Sequence, residues 1–197
     1  MIIFMNKILF VLHRLHVRIL SYIHSKRVKH CGAAVRFENI SLLVGGEYIS
    51  IGDKTTFQRG LYLTAWHLYD YKGKTNQPSI VIGNGCDFGA YNHITCTNKI
   101  SIGNHVLTGK WVTISDNNHG RSTYEDMCIP PQERKNSSKG EVIIGNNVFI
   151  GEKATILSGV TIGDGAIIGA NSVVTHDIPA FCVAVGNPAK IVKQILH

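Results

Sequence analysis

The chain has no paired cysteines. Its five (Cys31, Cys86, Cys96, Cys128 and Cys182) are an odd number, with no C-x-x-C and no regular spacing. That excludes a disulfide framework and a cysteine zinc site, and suits a reducing, cytoplasmic setting. Charged residues are scarce at 17%, and the balance of +7 fits a polyanionic partner. No DNA- or RNA-binding motif accompanies that charge, so no nucleic-acid partner is expected. Apolar runs in the first thirty residues are short. Ile8 to Leu12 falls far below the ~20 residues of a membrane-spanning helix. A small-residue cleavage site is also missing, so a signal peptide is not expected.

What is present is a six-residue period. From Ile144 to Pro179 the chain reads IGNNVF, IGEKAT, ILSGVT, IGDGAI, IGANSV and VTHDIP. An aliphatic residue opens each hexad, Gly mostly follows it, and the fifth position is small or β-branched. Helices and ordinary strands have side-chain periods of about 3.6 and 2, so neither gives this pattern. A fixed longer period marks stacked repeats, and hexads belong to parallel β-helices. Three hexads make one triangular coil. The opening aliphatics point into a prism and stack on the coil above, roughly 4.8 Å away. Gly near each corner is expected to let the chain bend.

The phase returns upstream at Ile51, Phe57 and Leu63, then at Ile82, Phe88, Ile94 and Ile100, and is reset at Ile102 to run to His119. Two aperiodic segments, 66–79 and 117–140, leave the coil as loops. The first holds Trp66, His67, Tyr69 and Tyr71, which either stack on a sugar or pack the loop. The reading is all-β: a left-handed parallel β-helix over 31–197, with a protruding loop and a short C-terminal helix. Residues 1–30 form a separate amphipathic helix, with Leu12, Leu15, Ile19 and Ile23 against Arg14, Arg18, Lys26 and Arg27. It either caps the first coil or packs in an oligomer, or it also touches an anionic membrane at the inner face.

The segment ISDNNHG, Ile114 to Gly120, precedes the longer loop and places His119 at the lip of the prism. Histidine there suits a general base, because its ordinary pKa near 6.5 lies close to working pH. Asp116 either supports His119 or caps a turn, and both readings stay open.

These hexads, the S-D-x-x-H-G segment and the terminal VGNPAKIV make the chain similar to the hexapeptide-repeat acyltransferases over roughly Ile80 to Lys193. Within them it resembles the galactoside and maltose O-acetyltransferases and those of capsule and lipopolysaccharide. The resemblance implies a homotrimer with acetyl-CoA bound between neighbours, and a sugar or glycolipid acceptor. It puts the catalytic base on His119 and an acceptor-binding Asn on Asn92. Phe149 falls on an aromatic position facing the active-site cleft. Ala170, Thr175, His176, Lys190 and Lys193 fall on cofactor-side positions, His176 standing where the family usually has Lys. Direct attack by a hydroxyl, without an acyl-enzyme, is the implied route. Trp111 packs at an edge or helps wall the cleft.

A γ-type carbonic anhydrase needs His residues five apart at the site, but Tyr124 follows His119 and Asn98 follows His93 at that spacing, so no metal is expected. A nucleotidyltransferase needs an N-terminal α/β domain that thirty residues do not supply. A non-catalytic scaffold leaves the loop after His119 unexplained. Within the family, N-acetylation of an amino-sugar nucleotide uses the same base and donor.

Overall fold

A computed structural model describes residues 2–67 and 77–195, with side chains from Leu9 onward. Tyr69 and Tyr71 therefore lie outside the described residues. The strands form three parallel faces of a left-handed β-helix. The first face runs from His30–Cys31 to Thr161–Ile162, the second from Arg36–Phe37 to Ala189–Gln194, and the third from Ile40–Val44 to Val173–Val174. Each coil visits the three faces in turn and hydrogen-bonds to the coils above and below it.

The hexad openers become the core columns. On the first face Ile82, Ile102, Ile144 and Ile162 stack in register and are buried. On the third, Ile94, Ile114, Ile156 and Val174 do the same. The second face begins as an aromatic column. Phe37 and Phe57 stack at 5.0 Å, and Phe57 and Phe88 at 4.9 Å, before Thr108, Ile150 and Ile168 continue it. Burial of these columns supplies the main driving force for the fold.

The hexad glycines act differently from the expectation. Gly151 does not have a positive φ; the left-handed residue of its corner is Lys153, at φ 59°. A Cβ on Gly151 would instead meet the backbone N of Ala170 at 2.5 Å. The glycine is needed because the next coil passes too close for any side chain.

Two further expectations are corrected. The C-terminal segment is no helix: Ala189–Gln194 is a strand, pairing antiparallel with Cys182–Gly186 as the last rung of the second face. The free edge there pairs with five of its six residues around a bulge at Val192, and a helix of that length would leave the edge unmet. The N-terminal helix α1 (Ile2–Ser25) does cap the first coil, but not through Leu12, Leu15, Ile19 and Ile23, which are exposed. It packs through Val17, Ser21 and His24. The Ser21 hydroxyl accepts from the Phe37 N–H at 2.9 Å, and the His24 ring meets Phe37 edge-on. That end of the prism offers an orphan backbone donor as well as an aromatic face, so a polar-edged helix face fits it best. No described helix is long and apolar enough to cross a membrane.

Candidate active site

The coil is left after Thr113–Ser115 and resumes at Val142–Ile144. The excursion emerges at the corner between the third and first faces, and it is ordered by its own bonds. Asn118–His119 pairs antiparallel with Asn136–Ser137, and Gly120 donates to the Lys135 carbonyl at 3.0 Å. Gly120 takes φ +83°, tucked under the Arg134 side chain. Thr123 caps a one-turn helix, α2 (Tyr124–Met127), and the Asp126 carboxylate accepts from the Arg121 backbone N–H. The far end is pinned to the prism where the Lys139 N–H donates to the buried Ser158 hydroxyl at 2.7 Å.

Between this excursion and the next two coils lies a pocket of about 550 Å³. The loop contributes His119, Met127, Arg134 and Lys139 to its walls; the coils contribute Leu157, Ser158 and Thr175. His119 is exposed, and its ring makes no hydrogen bond among the described residues. Of the residues singled out by sequence, the structure brings His119 and Thr175 together in this pocket. Thr175 also shares a 2.8 Å hydrogen bond with the Nδ1 of His176, which is exposed beside it.

Asp116 does not point at His119. Its fully buried carboxylate accepts from the backbone N–H of Thr97 at 2.8 Å and of Asn98 at 2.9 Å, closing the corner of the coil below. Of its two open readings, the structural cap is the one realised, though across coils rather than within its own turn. Asn92 is likewise turned into the prism and 1% exposed. Its Oδ1 accepts from the Val112 N–H at 2.7 Å and its amide donates to the Thr108 hydroxyl. An acceptor has no access to it, so its assignment as an acceptor-binding residue is corrected. An inward polar side chain replaces an aliphatic here because the adjoining corner has a free N–H to satisfy.

Phe149, Lys190 and Lys193 belong to the second face, and Ala170 to the corner between the second and third. In a triangular prism the second face lies opposite the corner that holds the His119 pocket. Trp111 is half-exposed at the second–third corner, stacked on Tyr91 at 5.3 Å with Lys153 over its ring, so it packs at an edge. Burial pushes the Cys86 and Cys96 thiols up, away from nucleophilic behaviour.

The pocket walls missed by sequence reading are Arg134, Lys139, Met127, Leu157 and Ser158. The loop residues carry no period. Leu157 and Ser158 carry one faint signal, as the hexad ILSGVT lacks the usual Gly at its second position.

A left-handed hexapeptide prism left at two points, with a histidine pocket at the longer excursion, defines a class of group-transfer enzymes. The chain belongs to the bacterial hexapeptide-repeat transferases and is an acyltransferase. The model of the bacterial transferase hexapeptide (six repeats) matches residues 141–176. A chain of Escherichia coli K12 assigned to lipopolysaccharide biosynthesis O-acetyl transfer, WbbJ, is 35% identical over 153 residues, spanning 76% of this chain and 73% of that one. A Mycobacterium tuberculosis protein assigned as an acetyltransferase, Rv3034c, is 32% identical over 76% of this chain, which spans less than half (43%) of its length. In fold, the N-acyltransferase AntD of Bacillus cereus, solved with dTDP and 3-hydroxybutyryl-CoA, superposes with a TM-score of 0.70 at 19% identity, over 90% of this chain and 88% of AntD.

Proposed function

We propose that the protein is an acetyl-CoA-dependent O-acetyltransferase acting on a hydroxyl of a sugar or surface-polysaccharide precursor, with His119 as general base. The observation that carries this reading is the unpaired His119 ring in a pocket it shares with Thr175. A base has to reach its proton before its pKa matters, and an imidazole free of other partners can do so. His119 takes the proton of the acceptor hydroxyl as that oxygen bonds to the thioester carbonyl carbon. The C–S bond then breaks, and the imidazolium returns the proton to the leaving sulfur. A backbone N–H near the pocket would receive the transient oxyanion. No enzyme nucleophile is called for, in keeping with the elevated buried thiols.

Thr175, His176 and Ala170 flank the outermost strand of the third face, Val173–Val174, and would guide the narrow arm of the donor; Lys190 and Lys193 would meet its phosphates as point charges. Phe149 and both lysines stand on the face opposite the His119 corner. A donor touching both sets needs walls from two chains, which supports a homotrimer. The exposed apolar column Leu107, Phe149 and Ile167 on the second face gives that contact a surface.

The test is a measurement of thiol release from acetyl-CoA with a panel of saccharides, glycolipids and amino-sugar nucleotides. O-acetylated product from a neutral sugar acceptor is expected. Turnover confined to amino-sugar nucleotides would replace it with N-acetylation, and none with any acceptor would sink the reading.

A further inference from the structure

We propose that the outward stripe of α1 seats the protein on an anionic lipid bilayer. The helix has two faces. Val17, Ser21 and His24 close the prism. Leu12, Leu15, Ile19 and Ile23 follow at helical spacing on the other side and stay 55, 52, 50 and 47% exposed. Four large aliphatics in one solvent-facing line are unusual on a surface with nothing against it.

Charge decides the occupant. All thirteen acidic residues of the chain lie at or beyond Glu38, where thirteen Lys and Arg balance them. The seven Lys and Arg before Glu38 therefore carry the entire net charge of +7. A groove of about 440 Å³ also runs between α1 and residues 34–36, lined by His13, Arg14, Arg18 and Arg36 with no carboxylate in its wall. Cationic side chains beside an apolar stripe place guanidinium groups at the level of lipid phosphates while the aliphatics enter the acyl boundary. A second copy is the poorer occupant, because packing two such helices together brings like charges into contact. The helix is too polar to cross the bilayer, so it lies along the surface.

The test is co-sedimentation of the full chain with vesicles of phosphatidylcholine alone, or with about one third phosphatidylglycerol. Binding to the anionic vesicles is expected. It should weaken at least ten-fold in ~1 M salt, where the Debye length is about 3 Å. The double variant Leu15→Glu, Ile19→Glu should lose it while keeping its circular dichroism and its oligomeric state. Reversal of Arg14 and Arg18 to Glu should remove the preference for anionic vesicles. Absent binding, equal binding to neutral vesicles, or undiminished binding of the Leu15/Ile19 variant would overturn the proposal. Dissociation of the oligomer in that variant would also overturn it, giving the stripe to a second copy. Acetyl transfer to a soluble acceptor is read in parallel. Its loss in the wild-type protein would speak against the acyltransferase assignment and leave the vesicle result standing.

Discussion

His119 and Asn136 stand directly opposite one another in the short antiparallel ladder at the root of the loop. Opposed residues of such a pair project to the same side. The Oδ1 of Asn136 is buried there without a hydrogen-bond partner. An acceptor in that position would, on a small turn of the ring toward it, take the proton of one nitrogen and leave the other free to act as base. Replacing His119 by Ala should lower kcat by on the order of 10²–10⁴ while leaving donor binding and assembly unchanged. Asn136→Ala should lower kcat about ten-fold with little change in KM, and should move the acidic limb of the pH–rate profile, where the base is lost to protonation. An unmoved profile would reduce Asn136 to a structural residue.

Asn92→Ala should destabilise the fold rather than impair acceptor binding. It strands the Val112 N–H inside the prism, at a cost of about 1–3 kcal/mol. Thermal melting should register the loss, and the acceptor KM of the remaining folded enzyme should stay at its wild-type value.

Acid should loosen the α1 cap. Burial, and secondarily the charge of Arg27, hold the His24 pKa below its ordinary value of 6.5. The unfolded chain therefore binds the proton first, so stability is lost as pH falls through 6.5 toward the lower folded value. Burial lowers His93 in the same direction. The melting temperature should decline between pH 7 and pH 5, as ordinary histidine titration sets the window. His24→Phe, which keeps a ring against Phe37, should flatten part of that decline.

Sedimentation should report a trimer. Phe149→Asp, on the exposed apolar column of the second face, should weaken both assembly and donor binding. A fully active monomer would refute the shared cleft.

The prism was legible in sequence because its stacking repeats every six residues, so Ile144 and Ile162 declare their column without any knowledge of neighbours. Asn92 and Asp116 were not legible in the same way. Their partners, Val112 and Thr97, are 19 or 20 residues distant, and only the coil spacing brings them together. The loop walls escaped for a different reason: in an aperiodic segment, Arg134 is placed by a bond to the Ile129 carbonyl and Lys139 by one to Ser158 of the prism. The C-terminal strand was misread because six residues with Lys at positions 190 and 193 suit a helix as well as a strand until the open rung beside them is known.

That reversed last strand has a consequence for solubility. A column of parallel rungs has no inherent length, and a bare final rung would template another molecule and grow into a fibre. Here the terminal strand runs against the direction of every rung beneath it and carries Lys190 and Lys193 on its outer edge, where cations discourage further pairing. At the opposite end α1 lies across the opening rung. The second face is thus stoppered at both ends.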